Sequence, residues 1–461
     1  MSERDADVIV VGAGGAGLAA AVSAAEAGAA VLVLEGQPAP GGKTALAMGS
    51  ITASETHLQA RHGVADTNAA HREDLLRHAT SRGRIPEPDD PSVDILVEDG
   101  ASVVAWLESL GVTFSGPHPE RPHRAYRLHC AVPDGSAYVR CLAAALARHG
   151  GAVRADAAVT RLALQPDGVD VTVAGAERPL RAGAVVLAAG DYSGAVERFR
   201  PGAAGAEPIR AWARGDGQAL AAALGAELRG MQRPLAPSLR FADPPYTEPD
   251  AALYEAGAIV VDAGGRRLDA DGQPPASAPA VAAAPAAFAV FGGELVARLA
   301  RPEDDSPWAR DGWRRTGRLF ISTAGGRGYD YLDDVLARPG CARADTPAAL
   351  ARAVGLDVQG LAATLAAVNA GRGDGRGLLP IAQPPFVALG PLRLRLLLTD
   401  GGIRVDASLR ALRADGTPLP GVYAAGNAAA AIGGAGAHGY GLGWAFASGR
   451  RAGRAAAAYA R

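Results

Sequence analysis

Residues 7–36, DVIVVGAGGAGLAAAVSAAEAGAAVLVLEG, constrain the fold more than any other stretch of this chain. The pattern reads as a strand over Asp7–Val11, a tight glycine turn, a helix from Gly15 to Gly28, and a second strand from Ala30 to Leu34 that ends in Glu35. Gly12, Gly14 and Gly17 form a GxGxxG. The first permits a sharp strand-to-helix turn, the second lets the backbone approach a pyrophosphate, and the third lets the helix pack close on the sheet. A helix N-terminus so placed turns its N–H groups toward phosphate. Glu35 stands where an acid accepts hydrogen bonds from an adenosine ribose. In a chain with 60 glycines the motif alone is weak. The strand before it, the helix after it and the acid at this distance predict a dinucleotide site; the alternative is an ordinary buried βαβ unit.

At 461 residues the chain is long enough for two domains. Its net charge of −2 leaves no electrostatic footprint for nucleic acid or an anionic membrane. The cysteines Cys130, Cys141 and Cys341 have no metal, redox or haem-attachment spacing, which fits a reducing, cytoplasmic setting. The start MSERD is polar and runs straight into the first strand, so no secretory signal is expected, and no apolar run reaches membrane length. Lys43 is the only lysine among 46 basic residues, a bias that devalues any single arginine, alanine or glycine as a marker.

Residues 37–50 read as a glycine-rich loop, 68–110 as helices, Val139–His149 as a one-faced helix, and Val153–Leu164, Gly168–Val173 and Ala184–Ala189 as strands. Residues 215–231 read as turn, helix and strand. From residue 234 proline increases and periodicity weakens, and the proline/alanine tract at 274–287 reads as a flexible insertion. Ala348–Val354 and Val358–Asn369 read as helices, and from residue 398 the α/β texture returns, with a final helix over Gly443–Tyr459. The expected architecture is α/β: a Rossmann-type cofactor domain split in sequence (1–233 and 398–461), with an α+β domain (234–397) inserted between its halves.

These segments, in order, resemble the flavoprotein family of fumarate reductases, succinate dehydrogenase flavoproteins and 3-ketosteroid Δ1-dehydrogenases. The resemblance is carried by VVGAGGAGLAAA with Glu35, GGKTALAMGS, WLESLGV, VVLAAG, GDGQALAAALGA, TDGGIRVD and PGVYAAGNAAAAIGG, the last nearest the ketosteroid-dehydrogenase branch. It implies FAD and an inserted domain that caps the substrate. Carried over by position, Gly12, Ala13, Gly14, Gly15, Ala16 and Gly17 form the pyrophosphate turn, and Glu35 with Gly36 the ribose end. Gly41, Gly42, Lys43, Thr44, Gly49 and Ser50 form the loop toward the isoalloxazine. Ala158 and Val159 meet the adenine, Ala189, Gly190 and Asp216 approach the cofactor, and Gly426 with Asn427 stands where many relatives read Gly-Glu. Leu442, Ala445 and Phe446 lie at the start of the last helix, whose dipole favours negative charge on a reduced flavin. Covalent members carry histidine where this chain has Lys43, so the resemblance implies noncovalent FAD; the bland reading of Lys43 is a solvated side chain.

The chain departs from the fumarate reductases at substrate positions. Their histidine in an HPT element aligns with Ala236, the histidine before TxGG aligns with Leu398, and the cap segment RF-x-NE aligns with Arg267-Leu268-Asp269-Ala270-Asp271. A buried dicarboxylate needs cationic partners. Their loss points to a carbonyl-containing, largely apolar substrate. Dehydrogenation beside a carbonyl needs a base, donors for the enolate and a hydride acceptor. The candidate groups are His438 and Tyr440 in the loop 434–443, Arg127 and His129 in RLHC, Tyr329 or Tyr331 in the cap, and, as enolate donors, backbone N–H groups of Gly401 and Gly402 and of the loop 434–443. The Tyr-Pro-Gly element of the ketosteroid enzymes is absent, which argues against a steroid. GAGAHG at 434–439 lacks a preceding strand and a following acid, so no second nucleotide site is expected. Electrons must then pass to or from oxygen, a quinone or dye, or another protein. An oxidase releasing peroxide, a redox-neutral isomerase and a binding protein that merely retains FAD remain alternatives.

Overall fold

The computed structural model describes residues 4–461 apart from 82, 85–86, 88, 119–122, 202–205, 234, 236, 244–246, 250, 271–274, 300–317, 322–328, 373–377 and 432–438. Side chains at 251–252, 277, 298–299, 318–321 and 329–331 are likewise outside the description. The chain divides into two compact units, Met1–Ala236 with Leu397–Arg461, and Pro237–Leu396.

The first unit is built on a parallel sheet. Strand β1 (Ala6–Val11) lies between β2 (Val31–Leu34) and the strand Leu180–Leu187, with Ala152–Arg154 beyond β2 and Pro418–Ala424 beyond Leu180–Leu187. These strands are runs of valine, leucine and alanine because a parallel sheet is covered on both faces. An antiparallel hairpin, Val159–Gln165 and Gly168–Val173, joins the same sheet through Leu180–Leu187. Helix α1 (Gly15–Glu26) follows β1 directly and is buried from Gly15 to Ala25. It packs on the terminal helix Tyr440–Ala460, where Gly449 and Gly453 let the backbones approach. A Cβ on Gly453 would sit 2.1 Å from the Ala20 carbonyl oxygen, and one on Gly449 2.4 Å from that of Ala16. Gly453→Ala is therefore expected to cost about 1–3 kcal/mol through overpacking. The check is the urea midpoint at constant m-value; an unchanged midpoint would show that the helices do not approach this closely.

A small antiparallel sheet pairs β3 (Ser50–Thr52) with Leu128–Ala131, which pairs in turn with Phe114–His118. The terminal helix starts at Tyr440, three residues before the expected Gly443, with Gly439 in the left-handed region at φ +83°. Ala445 and Phe446 therefore lie in its second turn, and its N-terminus is formed by Gly439–Leu442.

The second unit centres on the long strand Phe386–Leu396, which pairs antiparallel with Ser238–Phe241, Ala287–Phe291 and Ala342–Ala344; Ile259–Val261 pairs with Ala287–Phe291. One face packs Leu253, Val281 and Leu295; the other packs helices Pro347–Val354 and Val358–Ala370, capped by Thr346 and Asp357. The tract at 274–287 is not a flexible insertion over its described residues. Pro279 opens a short helix, Pro279–Ala283, that buries Val281, and Ala287 starts a core strand. Proline at a helix start and alanine within it favour that structure over disorder.

Candidate functional site

The glycine turn meets three separate steric demands. Gly12 has φ +101°, and a Cβ there would lie 2.6 Å from the Ala188 carbonyl oxygen. A Cβ on Gly17 would lie 1.8 Å from the carbonyl oxygen of Gly12. A Cβ on Gly14, by contrast, would meet nothing within 4 Å. The open face at Gly14 is where a group seated on the helix N-terminus fits, and only this glycine is spared for it by the protein's own packing. The first helical bond runs from Leu18 N–H to Gly14 C=O, so the preceding N–H groups are left to other partners.

Two of those partners are side chains. The Ala13 N–H donates to Glu35 Oε2 at 2.7 Å, and the Gly15 N–H donates to Thr44 Oγ1 at 3.0 Å. Glu35 Oε1 accepts from the Gln37 N–H at 2.8 Å. A carboxylate has about four acceptor positions, so Glu35 can brace this turn and still accept from a ribose. The loop after β2 folds back over the turn: Gly41 N–H donates to Ala13 C=O at 2.9 Å, and Gly42 (φ +54°) lies against Gly14. Gly36 faces Ala158, and Glu35 C=O accepts from Ala157 N–H. The Ala158 carbonyl accepts from Ala174 N–H, and Val159 is half-buried at the start of the hairpin. Gly49 and Ser50 lead into β3, with the Gly49 carbonyl accepting from Tyr138 Oη at 2.6 Å.

The carboxyl ends of two further strands converge beside this turn. Ala189 and Gly190 leave Leu180–Leu187, and a Cβ on Gly190 would again meet open space. Gly426 and Asn427 leave Pro418–Ala424; a Cβ on Gly426 would lie 2.6 Å from Ala16 Cβ. Gln218 joins the two loops. It is fully buried, and its Nε2 donates to the carbonyls of Gly190 (3.0 Å) and Asn427 (3.1 Å). Sequence reasoning missed Gln218 and chose Asp216, whose carboxylate is exposed and paired with Arg198 Nη1 at 2.8 Å. Placed at the helix start, Asp216 points outward, and the residue two positions on points in. Leu442 and Ala445 are half-buried, while Phe446 is buried against Tyr138 with ring centroids 4.7 Å apart.

Lys43 is not a solvated side chain. Its ammonium donates to Asp191 (2.7 and 3.0 Å), Ser193 Oγ (2.7 Å) and the Leu397 carbonyl (2.6 Å). Its side chain is 19 % exposed and that of Asp191 is 0 %. Gly401 and Gly402 pack against Gly230 and Ala428, and Gly402 pairs with Arg229 in a short antiparallel ladder. They serve close backbone approach, which argues against the enolate-donor role expected of them. Asp400, between Thr399 and Gly401, is buried and ion-paired with Arg84.

Behind β3 lies a polar cluster that the sequence hinted at only through Arg127 and His129. Arg127 is buried and pairs with Asp66 and Asp74, each at 2.6 Å. It is a structural cation rather than a catalytic one. His129 uses both ring nitrogens: Nδ1–H donates to the Arg127 carbonyl (2.8 Å), and Nε2 accepts from Thr56 (2.9 Å). Burial pushes its pKa down to about 4, so it is neutral. Arg127 Nη1 can only donate, so His123 Nδ1 accepts (3.4 Å) and its Nε2–H points at Thr52 Oγ1 (3.3 Å). The Thr52 hydroxyl then donates to His71 Nε2 (3.0 Å), His71 Nδ1–H donates to Ser54 (3.0 Å), and Ser54 donates to Asn68 Oδ1 (2.7 Å). The chain of bonds is self-consistent only with both rings neutral. Burial, reinforced by the Arg127 charge, pushes His123 down to about 3; burial, and then the cost of a second positive charge beside His123 and Arg127, holds His71 well below its usual range.

Tyr440 is also drawn into the core, with its hydroxyl 3.0 Å from Ser92 Oγ, because the terminal helix begins at this residue. That placement argues against Tyr440 as a base. Tyr329 lies in the strand Tyr329–Tyr331, whose side chains are outside the description, and His438 and Ala236 lie outside the described residues.

Residues 7–442 match the family described as FAD binding domain. A probable fumarate reductase of Shewanella frigidimarina is 27% identical over 459 residues, covering 94% of this chain and 70% of that protein. Among solved structures, the open conformation of a flavocytochrome c3 fumarate reductase superposes with a TM-score of 0.77 at 24% identity, over 100% of this chain and 79% of the other. A 3-ketosteroid Δ1-dehydrogenase from Sterolibacterium denitrificans, solved with 1,4-androstadiene-3,17-dione, superposes with a TM-score of 0.68 at 19% identity, over 98% and 99% of the two chains. No helix among the described residues is long and apolar enough to cross a membrane.

Proposed function

The chain belongs to the FAD-binding-domain family and is an FAD-dependent oxidoreductase of CH–CH bonds, and from that premise we propose that it desaturates, or in reverse reduces, a carbon–carbon bond beside a carbonyl in a small, largely apolar, cyclic substrate. FAD, when bound, accepts or donates the hydride. The protein's part is to seat it and to shape the substrate's surroundings. The pyrophosphate takes the open face at Gly14, and the adenosine takes the Glu35–Gly36 edge beside Ala158–Val159. The remainder lies along Gly41–Ser50, Ala189–Gly190, Gly426–Asn427 and the helix start at Gly439–Leu442. Gln218 holds the second and third of these loops in register. Lys43, with its donors already engaged, is consistent with noncovalent FAD. The second unit is assigned as the substrate cap.

One observation carries the substrate class. The segment returning to the first unit reads Leu398-Thr399-Asp400-Gly401-Gly402, with a half-buried leucine where a carboxylate-binding histidine aligns, and a buried acid two residues on. A dicarboxylate would lose a cation there, and the nearby Asp400 is an acid already paired with Arg84 that offers none in its place, whereas an apolar ring loses nothing. With Arg127, His129 and Tyr440 committed to the interior, the base is sought at His438 or Tyr329. Cys130, Cys141 and Cys341 form no disulfide, which suits a reducing cytoplasm. A small-molecule substrate and an external electron partner complete the assignment.

The test is anaerobic flavin reduction. Cyclic ketones are expected to bleach the oxidised flavin, or the matching enones to reoxidise the reduced one, while succinate and fumarate do neither. Turnover of the dicarboxylate pair would overturn the substrate class. Stoichiometric peroxide under air would mark an oxidase instead.

A further inference from the structure

We propose that Lys43 is a positioning residue: a clasp that makes the seating of the cofactor loop and the ordering of residues 397–402 one event. The inference rests on the functional reading above for the identity of what the loop holds.

The only lysine of this chain meets three groups with its three ammonium protons: the Asp191 carboxylate, the Ser193 hydroxyl and the Leu397 carbonyl. A compact ammonium suits such a cage, and the flat fork of a guanidinium does not. In a composition that otherwise uses arginine for every cation, the exception falls where that geometry is needed.

The partners belong to separate segments. Asp191 and Ser193 follow the strand Leu180–Leu187, and the Ser193 N–H fixes Asp191 Oδ1 at 2.8 Å. Leu397 is the residue at which the chain, having finished the strand Phe386–Leu396, re-enters the first unit. Tyr192, between the two acceptors, donates its N–H to Thr399 Oγ1 (3.3 Å) and its hydroxyl to the Asp400 carbonyl (2.8 Å). Among the described residues, the bond from Lys43 is the one that reaches this segment from the cofactor loop. That loop is in turn tied to the glycine turn through Gly41–Ala13 and Gly15–Thr44. A continuous set of contacts therefore runs from the pyrophosphate turn through Lys43 to Leu397, Thr399 and Asp400. Asp191, fully buried, penalises release of Lys43, because a buried carboxylate without its cation is costly. Coupling of this kind is reciprocal: whatever orders the loop orders the segment, and the reverse.

The experiment measures amide hydrogen exchange across 397–402 in FAD-loaded and FAD-stripped protein, together with the FAD dissociation constant. In the wild type, FAD is expected to slow exchange there by about tenfold. Lys43→Met with Asp191→Asn removes the whole ion pair and strands no charge. It is expected to bind FAD about tenfold more weakly, and its exchange at 397–402 is expected to be indifferent to FAD. A merely structural lysine would shift affinity but leave the FAD-dependent protection in place, and that result would overturn the clasp. Should the double variant fail to fold, Lys43→Arg keeps the charge but not the three-way cage; lost protection supports the clasp, and retained protection refutes it. A wild type that takes up no FAD refutes the functional reading itself, whereas one that takes up FAD with no change at 397–402 refutes the clasp alone.

Discussion

Replacing Glu35 by alanine is expected to weaken FAD binding about 100-fold while leaving the fold intact. The carboxylate accepts from the Ala13 and Gln37 N–H groups, at 2.7 and 2.8 Å, on a residue that is itself buried. Hydrogen bonds to a charged acceptor contribute about 1.5–3 kcal/mol each, and the ribose contact is lost with them. One of the two donors belongs to the glycine turn, so the substitution loosens the pyrophosphate end as well as the ribose end. Glu35→Gln keeps an acceptor but cannot receive two N–H groups and a ribose with full charge, and it should fall between. The ratio of flavin to protein absorbance after gel filtration reads the effect, and a fluorescence titration gives the constant. Wild-type retention in Glu35→Ala would remove this residue from the cofactor site.

The second large effect is acid instability. His123 and His129 titrate at about 3 and about 4 in the folded chain, against about 6.5 when unfolded. Between those limits the unfolded chain binds more protons, so stability is complete above pH 6.5 and is lost as the pH falls toward 4. Each ring contributes a slope of about 1.4 kcal/mol per pH unit in that window, and His71 adds in the same direction. By pH 5 these two rings together have removed about 4 kcal/mol and His71 more, so a domain at the low end of the usual range of about 5–15 kcal/mol should unfold near there and a more stable one at lower pH. His123→Gln removes one titrating ring and should visibly flatten the urea midpoint against pH between 6 and 4. An unchanged slope would show that these rings are not held neutral.

The first βαβ unit was legible because everything it needs is local: β1, the turn, α1 and Glu35 lie within 30 residues, and each glycine answers to a neighbour in sequence or in the adjoining strand. The start of the terminal helix was obscured by Gly439, Gly441 and Gly443, which resemble a loop in composition but are small because Thr52 and Leu96 lie against the first and last of them. The order within 274–287 was hidden for the opposite reason: proline and alanine suggest a linker unless one notices that proline opens the helix. The Lys43 cage could not be read at all, since its Leu397 acceptor is 354 residues away. The histidine chain was half visible. RLHC pointed to the right strand, but whether Arg127 and His129 face a substrate or the interior depends on Asp66, Asp74 and Thr56, whose convergence no periodicity records. Gln218 lay two residues from the acid chosen in its place, a difference of side on one helix.

The seam at Gly449 and Gly453 has a consequence for biogenesis. α1 is synthesised more than 400 residues before the helix Tyr440–Ala460 that covers it. While the ribosome is still extending the chain, residues 237–396 can complete their own sheet as they emerge. The strand–helix pair β1–α1 must wait with an uncovered alanine face until the helix Tyr440–Ala460 clears the exit tunnel. A nascent chain arrested before residue 440 should therefore expose this face to chaperones, even though it already contains every glycine of the amino-terminal motif.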